Sequence, residues 1–301
     1  MFKLKRYFNK NTKKIFIFIA IIILVIAVIQ VLNQIVKNKE KQEINNISEN
    51  YINKTERDTV ITEGKVEKEK NDKFVELINS FINYCNDKKF EDAYELLSSD
   101  CKQQLYPTVE SFKKSYCNMI FSVKRQANIQ SWITKNGIYT YKVTLIGDLL
   151  SNMDSSQTED YYSIINENNK LKLNINNFIG KKVLNKDAES DKIKIKANFV
   201  YIYMDYEIYD FEIINDTNND IQLDTKKKTD TMYIMDNNNN WYSSQNYQLT
   251  SNDLTIKAKN KKQINISYGK GYNSKSDTKE IVFSNIVSSL NSQIDDIKIS
   301  L

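Results

Sequence analysis

Ser111-Phe112-Lys113-Lys114 is the stretch whose residue types and spacing come nearest to chemistry. A serine with a lysine three residues on is the spacing of serine acyl transfer, in which the amine one helical turn away takes the hydroxyl proton. That reaction also needs S-D-N and K-T-G elements to complete the proton path and the opposite wall of the site, and the sequence has neither. Ser111 moreover falls inside a helical pattern in which Phe112 takes the buried position and the two lysines flank it, so the motif reads as helix surface. The chain contains no histidine, which removes Ser-His-Asp and Cys-His nucleophiles, His-ligated zinc and iron, and the usual general base near neutral pH. Six glycines and one proline leave no G-x-G-x-x-G and no G-x-x-x-x-G-K-[ST] for cradling phosphate. Asp295-Asp296 stands apart from any other ligand cluster. The chain is therefore read as not an enzyme, with no catalytic residue, no cofactor and no metal.

Cys85, Cys101 and Cys117 are evenly spaced and odd in number, which fits neither a disulfide framework nor a metal site. Cys85 falls on an apolar helix face and is expected in a core; a single bridge stays open, with no pair preferred. What remains as a candidate site is apolar. Tyr139, Tyr141, Val143 and Leu145 on one strand, with Leu171, Leu173 and Ile175 on another, alternate so that they face one side of a sheet. Such a face is either core or the lining of a pocket for an apolar ligand.

These residues need a sheet to carry them and helices to cover it. Ala127, Ile129, Ser131 and Ile133 alternate with polar residues, Asn136-Gly137 signals a tight hairpin, and Tyr139 to Leu145 returns. A second hairpin pairs Tyr161–Ile165 with 171–175 across 167–169. Upstream, Phe74, Leu77, Ile78, Phe81 and Cys85 share a helical face to about Asp87, and Phe90, Ala93, Tyr94 and Leu97 share another. Pro107 then breaks the chain, and Thr108 can cap a third helix with the stripe Val109, Phe112, Tyr116, Met119 and Ile120. Three helices on a curved antiparallel sheet make an α+β cone.

Phe81, Lys89-Phe90, Ala93-Tyr94, Leu96-Leu97, Pro107-Thr108, Phe112 and Tyr116 resemble the helical part of a nuclear transport factor 2-like domain. In pattern they are most similar to the non-catalytic amino-terminal module of methicillin-resistance-type penicillin-binding proteins. The resemblance covers Lys73 to about Phe178 and rests on apolar and aromatic positions rather than a chemical motif. It implies the fold and an extracytoplasmic scaffold role.

Ahead of the cone, Ile15–Leu32 runs eighteen residues with only Gln30 polar, and Ile35 and Val36 extend its apolar face, long enough to cross a membrane. Six lysines and arginines and no acidic residue precede it, which keeps that end cytoplasmic and the rest outside. Removing those six from the 43 basic residues leaves 37 against 38 acidic ones, so the net charge of +5 belongs to membrane topology and no nucleic-acid partner is expected. Beyond the cone, about seven short strands appear: Ile193–Tyr203, Tyr206–Ile214, Ile221–Leu223, Met232–Met235, Leu254–Ala258, Ile264–Tyr268 and Ile281–Phe283. They suggest an all-β, immunoglobulin-like sandwich with Trp241 as its large core anchor.

The expected organisation is a basic tail (1–14), a transmembrane anchor (15–36), a polar stalk (37–72), the α+β domain (73–180), a charged connector (181–191), the sandwich (192–290) and a C-terminal tail (291–301). The expected function is that of a single-pass, membrane-anchored, extracytoplasmic binding or scaffold protein of the bacterial envelope, with other envelope or secretion proteins as partners. One alternative is a component of a conjugative or type IV secretion channel, whose bridge proteins the layout resembles and which self-associate as homo-oligomers. The other is a binder of an apolar small molecule or lipid in the cone.

Overall fold

A computed structural model describes residues 61–62, 66–147, 157–224, 231–245, 248–272, 275–290 and 293–301. The basic tail, the expected anchor at 15–36 and most of the stalk lie outside the described residues. Among the described residues no helix is long and apolar enough to cross a membrane. Arg57–Leu301 forms one compact unit of helices and largely antiparallel sheets.

Helix α1 (Lys68–Asn86) buries Phe74, Ile78, Phe81, Ile82 and Cys85. Each of the large apolar side chains contributes on the order of 2 kcal/mol by leaving water. The helix begins within the expected stalk, because its first turn is polar and is held by an exposed Glu69–Lys73 ion pair rather than by burial. Helix α2 (Phe90–Glu95) buries Ala93 and Tyr94. Helix α3 (Ser99–Leu105) lies outside the sequence expectation: it buries only Cys101 and so shows no apolar period, and Ser98 caps it by accepting the Cys101 N–H at 2.9 Å. Helix α4 (Val109–Phe112) starts at Thr108 in a reciprocal cap with Ser111 and continues through a π-helical turn, Lys113–Cys117, into α5 (Asn118–Ile120). The π turn inserts one residue and shifts the phase of the buried face. Tyr116, Cys117 and Phe121 are buried, while Met119, expected in the stripe, is 69% exposed.

These helices cover a five-stranded sheet ordered β1-β2-β3-β4-β5: β1 (Ile61–Thr62), β2 (Arg125–Lys135), β3 (Ile138–Gly147), β4 (Gln157–Glu167) and β5 (Lys170–Asn174). β1 runs parallel to β2 and the remaining pairs are antiparallel. Both hairpin turns use left-handed pairs, Asn136 (φ 53) with Gly137 (φ 75), and Asn168 (φ 52) with Asn169 (φ 62). Positive φ at both turn positions matches strand twist and fixes register.

The segment expected as a charged connector is instead strand. β6 (Phe178–Ser190) pairs antiparallel with β7 (Ile193–Tyr203) along its length, with two register shifts. It lies at a sheet edge, so most of its side chains beyond Gly180 meet solvent and its charges hide the strand pattern. It heads the sheet β13-β8-β7-β6, with β8 (Glu207–Asn215) and β13 (Asn260–Tyr268). A second four-stranded sheet is ordered β11-β10-β14-β16: β10 (Met232–Asp236), β11 (Trp241–Ser243), β14 (Thr278–Phe283) and β16 (Ile297–Ser300). The expected C-terminal tail thus supplies a strand, pairing Ile297 with Phe283 and Ile299 with Ile281. A small sheet joins β9 (Ile221–Gln222) with β12 (Thr255–Ile256) and β15 (Val287–Ser288). All three share one apolar cluster, with Tyr209, Phe211, Tyr268 and Phe283 its largest members.

A third cluster of Ile133, Ile179, Met204 and Tyr272 joins the helical and all-β parts. Around it Lys135 pairs with Asp277 at 2.8 Å, Tyr272 donates its N–H to the Met204 carbonyl at 2.9 Å, and Met204 donates to the Asn177 carbonyl at 2.9 Å.

Candidate functional site

The apolar positions picked from the alternation do share one face of the sheet. Tyr141, Val143, Leu145, Leu173 and Ile175 are fully buried, while Tyr139 and Leu171 sit half-buried at the rim. The register explains the grouping: Tyr141 lies opposite Tyr162, Tyr139 opposite Ile164, and Ile164 opposite Leu173. Rings from the helices occupy the space above them. Phe81 meets Tyr162 edge-on at 5.7 Å between centroids, and Phe74 meets Tyr141 edge-on at 6.5 Å. At the rim a groove of about 150 Å³ remains between Lys70, Phe74, Tyr139, Ile164 and Leu171. Lys70 donates to the Tyr139 hydroxyl at 2.5 Å and lies over its ring at 4.4 Å. That volume is about half the lower bound for pockets that enclose drug-sized ligands.

A carboxylate sits in this face that periodicity did not assign to it. Asp160, opposite Val143 on β4, is buried together with Tyr116 and Tyr162. One oxygen accepts the N–H groups of Tyr161 (2.7 Å) and Asn177 (2.9 Å). The other accepts the Tyr116 hydroxyl (2.9 Å) and the Asn176 N–H (3.1 Å). Asn176 (φ 58) and Asn177 (φ 60) are both left-handed, which turns two successive N–H groups inward as an anion-binding nest. Tyr116 and Tyr162 hydroxyls are 2.7 Å apart. Four donors occupy the carboxylate, so it ties the β5–β6 turn to the sheet.

Burial pushes the Asp160 carboxyl up to about 6, against the opposing pull of hydrogen bonds from Asn177, Tyr116, Asn176 and Tyr161. The sign of the resulting pH dependence follows from the ordinary carboxyl value near 3.8. Between these two values the folded chain holds a proton that the unfolded chain releases, so the Asp160 contribution makes stability fall as pH rises from about 4 to 6. Two pH units correspond to on the order of 3 kcal/mol. Asp160→Asn lacks this contribution. Urea unfolding of both proteins at pH 4 and pH 7 is expected to show the wild type's advantage over the variant shrinking as pH rises, and an advantage that grows instead would reverse the assigned direction.

Ser111 and Lys114 are not arranged as a nucleophile and base. The Ser111 hydroxyl accepts the Thr108 N–H at 3.1 Å and donates to the Thr108 carbonyl at 2.7 Å, so it is consumed by the helix cap. Lys114 is exposed, and Lys113 pairs with Glu110 at 3.8 Å.

Trp241, expected as the core anchor, is 60% exposed. On the three-residue β11, Tyr242 points inward and donates to Asp236 at 3.1 Å, which by alternation sends Trp241 and Ser243 to the outer face. There Trp241 stacks on Tyr233 with centroids 4.6 Å apart and planes 9° from parallel. The adjoining turn is pinned by Asp236, which accepts the N–H groups of Asn238 (2.8 Å) and Asn240 (2.9 Å), the Asn240 amide (3.0 Å) and the Ser276 hydroxyl. The result is a rigid aromatic face at a sheet margin. Tyr233 is one of many tyrosines in the all-β part; only the pairing register, Met235 opposite Trp241, selects it as the partner ring.

No protein-family model and no curated protein matches the chain. Among solved structures, a conserved hypothetical protein from Bacillus anthracis is similar at 14% identity over 38% of this chain and 94% of that one, with a TM-score of 0.25.

Proposed function

We propose that this is a non-enzymatic, membrane-anchored binding or scaffold protein of the bacterial envelope, fixed by residues 15–36 with its folded part outside. The α+β part is a nuclear transport factor 2-like cone and the all-β part an immunoglobulin-like sandwich. The observation that carries the reading is that the cone is filled by the chain's own rings, Phe81, Phe112, Tyr116, Tyr141 and Tyr162, all buried. Filling the interior moves binding to the surface. The stacked Trp241–Tyr233 pair suits a protein partner, since rigid aromatic rings bury large area with little loss of side-chain freedom.

Trp241→Ala is expected to change stability by no more than about 0.5 kcal/mol, as for an exposed position away from core and caps. The same change is expected to abolish partner capture. The test is photocrosslinking in intact cells from a reactive aromatic placed at residue 241. Recurrent adducts with one envelope or secretion protein support the scaffold, and adducts with a second copy support the self-associating channel reading. Adducts with nothing, alongside unaltered complexes in the Trp241→Ala strain, would sink the assignment of this face. The rim groove favours a second reading, a small apolar ligand held between Tyr139 and Leu171. Native mass spectrometry of the purified chain, before and after Leu171→Trp fills the groove, decides it.

A further inference from the structure

Cys85 and Cys117 are far apart in sequence and adjacent in space. Cys85 lies on the last turn of α1 and Cys117 closes the π-helical turn, both are fully buried, and their sulfurs are 3.9 Å apart. The π turn produces this meeting. Without the inserted residue, the stripe set by Val109, Phe112 and Tyr116 would continue through Met119, and Cys117 would sit on its flank, about 100° round the helix from its centre. Instead Met119 is exposed and Cys117 faces the core. Cys101, also buried, makes no sulfur contact with either among the described residues.

We propose that Cys85 and Cys117 form a disulfide in the protein as it exists in the cell, stapling the end of α1 to the π-turned helix. The placement outside the membrane rests on the function proposed above and supplies the oxidising surroundings in which such bonds persist. The bond forms by exchange with a disulfide oxidant. One cysteine thiolate attacks the oxidant's S–S bond and expels a thiolate. The second cysteine thiolate then attacks the mixed disulfide and expels the other. Two protons and two electrons leave the cysteines, and the oxidant departs as two thiols. Closing 3.9 Å to the S–S bond length of roughly 2.05 Å asks for side-chain rotation and a small helix shift.

Burial pushes the Cys85 thiol well above its ordinary range. A thiol held protonated exchanges slowly, so the bond belongs to folding, before the two helices close, and is shielded from reductant afterwards.

The first test uses the unaltered chain. Cells making the full chain are quenched in acid, the protein is denatured and its free thiols are blocked with one maleimide, then reduced and labelled with a second of different mass. The expected result is the first label on Cys101 and the second on Cys85 and Cys117. First label on all three overturns the proposal, as does a bridge involving Cys101. In the bridged protein, full-length chain in detergent is expected to melt roughly 10 °C higher than after reduction under unfolding conditions and refolding. Cys85→Ser, Cys117→Ser and the double variant should lose the same amount, because one bond is removed in each; additive losses would count against it. Membrane placement is read separately, by treating intact cells that make the Leu290→Cys variant, changed at a position 72% exposed, with an impermeant maleimide. A variant that takes up this label while Cys85 and Cys117 are free refutes the disulfide and leaves the placement standing, whereas a variant that stays unlabelled with the pair bridged does the reverse.

Discussion

Phe112→Ala is expected to destabilise the protein by about 3–5 kcal/mol, the largest single loss in the helical part. Phe112 is fully buried and its ring meets four others: Tyr106 at 5.4 Å, Tyr94 and Tyr116 at 5.8 Å, and Phe81 at 6.1 Å between centroids. Those partners come from α1, α2, the residue after α3 and the π turn, so one ring holds four segments. Truncation removes the transfer term and also leaves a space that four separate segments must collapse to fill. Each aromatic contact adds roughly 0.5–1.5 kcal/mol beyond area, which places the loss toward the upper end. Urea unfolding should show it as a lower midpoint with an unchanged slope. Ser111→Ala, which removes the reciprocal half of the capping box and leaves the Thr108 cap on the Ser111 N–H, is expected to cost no more than about 1 kcal/mol, and Lys114→Ala almost nothing. A large loss at Lys114 together with a small one at Phe112 would invert the core reading of Ser111 to Lys114.

This contrast marks where sequence pattern reaches and where it stops. The spacing of Phe74, Ile78, Phe81 and Cys85 finds α1, because nineteen helical residues hold the 3.6 period long enough to be seen. Asn136-Gly137 finds its hairpin, because the left-handed backbone there selects those residues. Ile193–Tyr203 is strand over those same bounds. The failures share a physical character: what decides each lies outside its own segment or is too short to have a period. Met119 is misplaced by one inserted residue, which shifts the helix phase without leaving a mark in composition. Trp241 sits on a three-residue strand, where parity is set by pairing with Met235 rather than by alternation. Lys181 to Ser190 is solvated along an edge and pairs only because β7 is beside it. Asp160 interrupts an apolar face tolerably because Asn176 and Asn177, in a turn sixteen residues later, supply its donors. The candidate face of Tyr139 to Ile175 was therefore legible as a face with helices over it, while the choice between core and pocket waited on the ring contacts, such as Phe81 against Tyr162, that no spacing encodes.

Lys270→Met is expected to cost about 3–5 kcal/mol in the all-β part, for the opposite reason: it leaves a charge behind. Lys270 and Glu207 are both buried, with Nζ 2.8 Å from Oε1, and the other carboxylate oxygen accepts the Tyr209 hydroxyl at 2.7 Å and that of Thr278 at 3.2 Å. A methionine matches the stem of the lysine but supplies no cation, so Glu207 keeps its desolvation cost and loses its counter-charge. Adding Glu207→Gln should recover most of the loss. The neutral amide still offers an oxygen to Tyr209 and Thr278, and buried pairs replaced as a unit are often close to neutral. The double variant is thus expected within about 1 kcal/mol of the wild type, with a coupling of at least about 2 kcal/mol in the cycle. The position of Lys270 gives the loss a second consequence. It stands between Gly269, where an added Cβ would run into Gln245 Nε2 at 2.7 Å, and Tyr272, whose N–H bonds the Met204 carbonyl. Hydrogen exchange at Tyr272 and Met204 should therefore speed up in Lys270→Met and slow again in the double variant. Faster exchange confined to β8 would mean that the pair holds its own sheet alone; faster exchange at Tyr272 makes it a support for the junction with the helical part.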